Sequence, residues 1–148
     1  MQKIILVFFI FLNLTEFSHG QDEYFRTLRN DEVNLRQGPS FEYPIKIFYK
    51  KKFLPVIVQE SSDNFRKIRD HENNSGWIHI SQLSKKKAAI IIGGEQIMFK
   101  SDTIFSSPIV ILKNGRLVKI DKCKESWCKV KSGKYKGWIK NKNLWGLF

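Results

Sequence analysis

Val33-Asn34-Leu35-Arg36 opens a stretch that closes with Gly76-Trp77-Ile78, and the chain then repeats this stretch in a second, looser copy. The copy opens with Ile97-Met98-Phe99-Lys100 and closes with Gly137-Trp138-Ile139. Aligned residue by residue, Phe99 corresponds to Leu35 and Lys100 to Arg36. The second copy is shorter, and the lost residues fall between apolar runs, where loops tolerate deletions. The sequence therefore predicts two tandem modules of the same fold.

Each copy is built from short segments in which apolar and polar residues alternate. Val33 and Leu35 have polar neighbours, and Leu54, Val56 and Val58 lie on one face of a later segment. A period of two is typical of a strand with one buried face. Turn-forming residues separate the segments, and no window of helical length has a helical period. We therefore predict an all-β protein made of two tandem small β-barrels.

The boundaries of the two modules follow from changes in composition. Residues 21–84 form the first module, with its core at residues 31–83, and residues 95–148 form the second. Residues 85–94 connect them. This connection begins with basic residues, but residues 88–92 are too apolar to be a free linker. We expect residues 88–92 to form a strand that docks on a neighbouring module and fixes the two barrels relative to each other.

Residues 1–20 have the character of an export signal. Lys3 supplies a positive start, residues 4–12 are uniformly apolar, and Ser18-His19-Gly20 places small residues where a signal peptidase cleaves. The apolar run is short for a permanent membrane anchor, which is the alternative. We predict a signal peptide that is cleaved after Gly20 and a periplasmic or secreted protein.

Two cysteines, Cys123 and Cys128, lie in the second module. An exported chain meets an oxidising compartment, so we expect a disulfide between them. They flank a turn-like tetrapeptide, residues 124–127, and a cross-strand pair that closes a hairpin is sterically reasonable there. A redox-active pair is disfavoured, because four residues separate the cysteines rather than the two of a thioredoxin-like site.

Positive charge is concentrated in the second module. The formal net charge is +12, and residues 85–148 hold fifteen Lys or Arg against four acids, whereas residues 21–84 hold ten against nine. A polycation outside the cytoplasm meets cell-wall glycans, lipopolysaccharide or acidic lipid headgroups before nucleic acid. We expect a cell-wall polymer or an envelope protein as partner, electrostatic contact with an anionic envelope surface, and no nucleic acid. The alternative is that most of these lysines are simply solvated.

Three motifs resemble the signature of bacterial SH3 domains: Asn34-Leu35-Arg36-Gln37-Gly38-Pro39-Ser40, residues 64–69 and Gly76-Trp77-Ile78-His79. The resemblance covers nearly all of the chain after residue 20. More narrowly, the chain is similar to an exported α-proteobacterial family with two such domains in tandem, whose second repeat has a similarly placed cysteine pair. The resemblance implies two SH3-like barrels. The second copy departs from the motif, because Lys100-Ser101-Asp102 replaces its Arg-x-Gly.

Four aromatic residues lie on strand faces opposite to their aliphatic neighbours. Each is one or three positions from an aliphatic residue, and an odd spacing puts two side chains of a strand on opposite faces. If the aliphatic residues line the barrel cores, each module presents an aromatic pair on its other face. The pairs are Phe65 with Trp77 in the first module and Trp127 with Trp138 in the second.

These rings are candidate ligand-binding residues. In eukaryotic SH3 domains, which the motifs also resemble, the Trp that opens the matching strand belongs to the peptide groove. Exposed rings beside Lys129 and Lys140 would suit a glycan, whose apolar sugar faces stack on rings while cations meet its carboxylates. The alternative is that the lead-in segment, residues 88–92 or the other barrel covers them. Burial is favoured for Trp77 and Trp138, and the alternatives are balanced for the other two.

The chain lacks groups that nucleophilic catalysis requires. After residue 20 only His71 and His79 could act as an imidazole base, and the one plausible thiol, Cys128, is in the other module and expected to be oxidised. His71 lies in a polar loop, whereas His79 follows Trp77 on the outer face and is a candidate ligand contact. No cluster of His, Cys, Asp or Glu has metal-ligand spacing. We expect no enzyme activity, no metal and no cofactor.

The resemblance implies a binding function. Bacterial SH3 domains often target wall hydrolases to their substrate, and this chain has the targeting part without a hydrolase. We expect a monomeric, non-catalytic binding module of the cell envelope that recognises peptidoglycan, by its peptide or its glycan, through SH3-like grooves. The alternative is a periplasmic adaptor that binds a partner protein, such as a wall hydrolase, by its groove or by β-strand addition.

Overall fold

The computed structural model describes residues 21–147, so the expected signal peptide at residues 1–20 lies outside the described residues. The first sheet has seven strands: β1 (Tyr24–Leu28), β2 (Val33–Arg36), β3 (Ile45–Tyr49), β4 (Pro55–Ser62), β5 (Phe65–Arg69), β6 (Ser75–His79) and β7 (Leu83–Ser84). The second also has seven: β8 (Ala88–Ile91), β9 (Gln96–Phe99), β10 (Pro108–Leu112), β11 (Leu117–Lys124), β12 (Trp127–Ser132), β13 (Tyr135–Lys140) and β14 (Leu144–Trp145). A short 3-10 turn precedes the last strand of each sheet.

The two sheets have the same antiparallel topology. Their strand orders are β3-β2-β6-β5-β4-β1-β7 and β10-β9-β13-β12-β11-β8-β14, so every strand of the first has an equivalent in the second. The pairing register shifts at the same place in both, between Val58 and Glu60 in β4 and between Ile120 and Lys122 in β11. Such bulges bend a strand and help a sheet to curl. The all-β fold with two tandem SH3-like units is confirmed.

The strand predicted at residues 88–92 is part of the second sheet. β8 pairs with β11 and β14, just as β1 pairs with β4 and β7. Residues 85–94, expected to connect the modules, therefore contribute the first strand of the second one. Within residues 21–147, no helix has the length and hydropathy needed to cross a membrane.

Each sheet encloses its own apolar core. The first core includes the fully buried residues Leu35, Ile68 and Ile78, and the second includes Met98 and Ile139. The spacing of two along each strand supplies these residues, as the alternation predicted. Removing their side chains from water is the main favourable term in folding.

The two modules pack against each other. Ile90 belongs to β8 of the second sheet, yet its side chain is 1% exposed and lies in the first core. The rings of Phe25 and Trp145 meet edge to face at 4.9 Å. The Thr27 hydroxyl donates to the Lys86 carbonyl oxygen at 2.8 Å. The residues around the connection thus fix the two sheets in one arrangement.

The structure corrects the alignment of the two copies by one residue. Gly76 lies against Leu35 and the carbonyl oxygen of Arg36, and Gly137 lies in the same way against Met98 and Phe99. Met98 is therefore the equivalent of Leu35, and Phe99 is the equivalent of Arg36. Because a shift of one residue moves a side chain to the other face of a sheet, Phe99 lies outside the barrel rather than in its core.

Cys123 and Cys128 form the predicted disulfide. They are direct cross-strand partners in β11 and β12, with Cα atoms 4.0 Å apart, next to the hairpin turn. The bond closes a small loop, so its contribution to the free energy of unfolding is expected at or below the low end of about 2 to 4 kcal/mol.

A buried carboxylate organises the loop between β5 and β6. Asp70 is 1% exposed and accepts hydrogen bonds from the Tyr49 hydroxyl at 2.8 Å and from the backbone N–H groups of Glu72 and Asn74. Burial disfavours its charged form, but these bonds and one from the Asn74 amide outweigh that effect and lower the pKa of Asp70. Burial and the bond to Asp70 raise the pKa of Tyr49. Asp70 is thus a structural residue.

Replacing Asp70 by asparagine is expected to lower the free energy of unfolding by about 2 kcal/mol, because its NH2 group would replace an oxygen that accepts two hydrogen bonds, such as the one that accepts from the Tyr49 hydroxyl and the Asn74 amide. The folded pKa is below the unfolded value of about 3.9. The stabilisation is therefore complete above that value and is lost as the pH falls through the folded pKa. Urea unfolding between pH 2 and 7 tests this. Exposed Asp63, whose side chain makes no hydrogen bond among the described residues, is the matched control as Asp63→Asn.

Candidate functional site

Three strands of the first module form a continuous surface, here called the first outer face. Phe65 of β5 lies opposite His79 of β6, Lys67 lies opposite Trp77, and Trp77 lies opposite Arg36 of β2. Directly opposed residues share a face, so all five side chains lie on the side away from Ile68 and Ile78. The structure thus brings three of the predicted site residues together, namely Phe65, Trp77 and His79.

The loop at residues 37–44 folds over one end of this face. The ring of Phe41 lies 5.2 Å from that of Phe65 and 5.2 Å from that of His79, and Phe65 and His79 are themselves 5.2 Å apart. Arg36 holds the loop, because its Nη1 donates to the carbonyl oxygens of Phe41 and Tyr43 at 3.1 and 2.9 Å. The result is a three-ring cluster whose outer member, Phe41, is 62% exposed.

Two residues of the loop motif have a direct structural role. A Cβ atom at Gly38 would lie 2.5 Å from the ring of Tyr43, so only glycine lets that ring pack against the loop. The arginine of the motif is Arg36, which binds the loop carbonyls. The motif therefore specifies the shape of the loop that brings Phe41 over Phe65.

The second outer face is built in the same way on β9, β12 and β13. Trp127 lies opposite Lys140, and Lys129 lies opposite Trp138, which in turn lies opposite Phe99. These residues occupy the positions of Phe65, His79, Lys67, Trp77 and Arg36, respectively. The four candidates of this module, Trp127, Trp138, Lys129 and Lys140, thus lie together.

Lysine side chains cover the tryptophan rings of the second outer face. Lys140 Nζ lies 4.3 Å from the centre of the Trp127 ring, and the Nζ atoms of Lys122 and Lys129 lie 5.7 and 5.9 Å from that of Trp138. Cations near ring faces are attracted by the π-electrons. The ring of Phe99 meets Trp127 edge to face at 5.7 Å.

Burial of the four predicted rings differs from expectation. Phe65 and Trp127 are each 6% exposed, whereas Trp77 and Trp138, for which burial was favoured, are only half-buried. The covered rings open their strands, and residues of their own module lie over them rather than the lead-in segment, residues 88–92 or the other barrel. Trp77 and Trp138 lie further along their strands and keep an accessible edge. They are the more accessible rings of each pair.

Three residues of these faces were not predicted from the sequence: Arg36, Phe41 and Phe99. Phe41 lies in a polar loop, and only the folded chain brings it to Phe65. Phe99 was assigned to the core because Ile97, Met98 and Phe99 are all apolar and fit either register. The polar residue Lys100 could have indicated the correct register. The alignment of the two copies matched Lys100 to Arg36, the last residue of β2, but β9 ends one residue before Lys100, at Phe99.

The two histidines lie in different surroundings. His79 Nδ1 lies 2.8 Å from the Ser81 hydroxyl, and His71 lies near Trp145, with ring centres 6.0 Å apart. In the part of the chain that the structure describes, no group of three or more His, Cys, Asp or Glu side chains could hold a metal ion.

The two sheets are thus a tandem pair of small SH3-like β-barrels, each with aromatic and cationic side chains on one outer face. The sequence model of the bacterial SH3 domain family matches the chain twice, at residues 29–85 and 96–146. The chain therefore belongs to the bacterial SH3 domain family. Members of this family are typically extracellular or associated with the cell envelope, and they often bind cell-wall material.

Comparison with solved structures finds matches of low sequence identity. NlpC2 and NlpC1 from Trichomonas vaginalis both match with 14% identity and a TM-score of 0.38. These matches cover 84% and 86% of this chain but only 48% and 47% of the NlpC chains, so this chain spans about half of their length. No curated protein matches the sequence.

Proposed function

We propose that the chain is a monomeric, non-catalytic binding protein of the periplasm or the extracellular space that recognises peptidoglycan. The observation that carries the proposal is the repeated pair of outer faces, each with a half-buried tryptophan beside cations. Sugar rings stack their apolar faces on aromatic side chains, and cations pair with the carboxylates of wall peptides. The frequent binding of cell-wall material by bacterial SH3 domains supports this choice.

The two faces differ in charge, which favours different contacts to one polymer. On the first, the Lys67 ammonium pairs with the Glu60 carboxylate at 2.6 Å, so this pair adds no net charge beside Trp77 and Arg36 is the remaining cation of the face. On the second, Lys122 takes the position of Glu60, and among residues 21–147 no carboxylate forms an ion pair with Lys122 or Lys129 over Trp138. The first face suits neutral sugar or peptide groups, and the second suits acidic ones.

Co-sedimentation with purified sacculi tests the proposal. The chain from Gln21 to Phe148 is expected to pellet with sacculi and to be released only in part at about 0.3 M NaCl, because screening weakens ion pairs but not ring stacking. Combining Trp77→Ala with Trp138→Ala should reduce retention at least about tenfold, the effect of about 1.4 kcal/mol. Phe48→Ser is the control, since this 66% exposed ring lies on the edge strand β3 outside the ring cluster.

Absence of retention at low salt would refute peptidoglycan recognition in spite of the net charge of +12. Equal retention of the double variant and the parent chain would refute the assignment to the tryptophans. The thermal midpoint of each variant must be measured as well, because a partly unfolded chain can pellet without binding.

An adaptor function is the second candidate, and one edge of the second sheet favours it. β10 is the terminal strand, its sequence Pro-Ile-Val-Ile-Leu carries no charge, and Ile109 and Ile111 are 39% and 58% exposed. Ile111 lies opposite Ile97, which is 44% exposed. An unprotected apolar edge can accept a strand from a partner. Weak sedimentation with sacculi together with salt-tolerant capture of a wall hydrolase would support this alternative.

A further inference from the structure

Seven lysines lie on one side of the β11-β12-β13 surface, here called the lysine face. Cross-strand register aligns Lys119 with Lys131 and Lys131 with Lys136, and it aligns Lys122 with Lys129. The face also includes Lys124 and Lys140, on either side of Trp127. Among residues 85–147, two acids neutralise members of the face: Asp121 pairs with Lys136 at 3.3 Å and Asp102 with Lys124 at 3.6 Å.

The lysine face is expected to lower the free energy of unfolding of the second module, and the first module has no such effect at the equivalent positions. Like charges directly opposite each other in a sheet repel, and this face contains three such pairs. At the equivalent positions of the first module, Glu60 faces Lys67, and Arg69 lies between Ile57 and Ser75. Repelling pairs on only one of two equivalent surfaces indicate that the lysines of that surface serve a function rather than stability.

An exposed apolar loop tip lies beside this face. The loop at residues 100–107 is closed by a hydrogen bond from Lys100 N to Ser107 O at 2.9 Å. The ion pair of Asp102 with Lys124 fixes it at the Trp127 end of the lysine face. At its tip, Ile104 is 60% exposed and Phe105 is 93% exposed.

Phe105 is exposed because the second module has Phe99 at the position that Arg36 occupies in the first module. In the first module Arg36 binds the loop carbonyls and Phe41 covers Phe65. In the second, the ring of Phe99 takes the place over Trp127, and no guanidinium at that position holds the loop. Phe105 is therefore left pointing into solvent.

We propose that the second module docks on an anionic phospholipid bilayer, with the lysine face against the headgroups and Ile104 and Phe105 inserted at the interface. Each lysine near a negatively charged membrane surface increases the binding constant of the protein for the membrane about fivefold. Apolar side chains that reach the acyl boundary add affinity that a soluble polyanion does not supply. A soluble glycan would stack on Trp138 and pair with the cations without needing Ile104 or Phe105, whereas the 93% exposure of Phe105 at a loop tip fits insertion into a bilayer.

Sedimentation with vesicles tests this docking. The chain from Gln21 to Phe148 keeps both sheets and omits the apolar residues 4–12, which would bind lipid by themselves. It is expected to pellet with vesicles of phosphatidylglycerol and phosphatidylcholine and not with phosphatidylcholine alone. Lys131→Glu should weaken binding more than about tenfold, and Phe105→Ser about tenfold.

Matched variants separate binding from folding and from net charge. Lys131→Glu removes two like-charge contacts, so its thermal midpoint should rise or stay constant, and any loss of binding is not due to unfolding. Lys46→Glu changes the net charge equally on β3, the terminal strand of the first sheet, and Phe48→Ser removes a 66% exposed ring of the same strand. Both should retain binding within about threefold, because screened charges act over about 10 Å.

Two results would overturn the inference. Equal pelleting with phosphatidylcholine alone would exclude an anionic bilayer as the ligand. Unchanged vesicle binding by Phe105→Ser, with equally tight binding to dextran sulfate, would make the face a general polyanion site. Sedimentation with lipid-free sacculi tests peptidoglycan recognition separately. A negative result with vesicles therefore does not refute peptidoglycan recognition, and a negative result with sacculi does not refute membrane docking.

Discussion

Replacing Trp127 by alanine is expected to lower the free energy of unfolding by about 3 kcal/mol, the low end for a buried tryptophan. The ring is 6% exposed, and it packs against Phe99 at 5.7 Å with Lys140 Nζ 4.3 Å from its centre. It lies on the outer face rather than in the barrel core, so its neighbours can partly close the gap. Urea unfolding monitored by circular dichroism measures the change.

Trp138→Ala is the comparison for this variant. Its ring is half-buried, so the loss of stability should be clearly smaller, whereas the loss of sacculus retention should be larger. If Trp127→Ala instead changes the unfolding free energy by less than about 0.5 kcal/mol, as surface substitutions do, the ring is not buried in solution. Trp127 would then be a candidate ligand contact, as the spacing between this aromatic residue and its aliphatic neighbour in β12 predicted.

Replacing Gly76 by alanine is expected to cost about 3 kcal/mol, the upper end for overpacking. The new Cβ atom would lie 2.6 Å from the Arg36 carbonyl oxygen and 2.7 Å from Leu35 Cγ. The first is backbone and the second belongs to a fully buried residue, so neither can move without disturbing the contact between β2 and β6. Gly137 has the same surroundings, with the Phe99 carbonyl oxygen at 2.6 Å.

The neighbouring residue provides a control for the glycine substitution. Ser75→Ala changes a half-buried side chain in the same strand and should alter stability by no more than about 0.5 kcal/mol. Thermal and urea unfolding of Gly76→Ala, Gly137→Ala and Ser75→Ala compare these sites directly. Equal stability of all three would mean that β2 and β6 separate more easily than the structure indicates. The glycine of the Gly-Trp pair would then have no packing role.

The duplicated pattern predicted much of the fold. Alternation predicted Leu35 as a core residue, and the odd spacing from the aromatic residues predicted the same for their aliphatic neighbours Ile68, Ile78 and Ile139. The equal strand orders of the two sheets confirm the repeat. The disulfide was predictable because two cysteines flank a short turn in a chain with an export-like start. These features depend on local periodicity and spacing, which a sequence displays directly.

Other features could not be predicted because they depend on contacts between distant residues. The register of β9 was ambiguous, since neighbouring apolar residues fit both faces, and only the approach of Gly137 selects Met98 as the core residue. The role of Asp70 was also hidden. An acidic residue in a polar loop is usually solvated, and its burial depends on Tyr49, which lies in β3 far along the chain.

The sequence by itself determined the two β-modules, the side of strands such as β5, β6 and β13 that faces the core, and the concentration of lysine in the second module. The tertiary structure decided which rings are covered and which are accessible, because Phe41 and Phe99 reach their partners only across strands. It also decided that lysines from three strands form one surface beside Phe105. Periodicity fixes the face on which a side chain lies, whereas its neighbours on that face come from separate parts of the chain and are set by strand register.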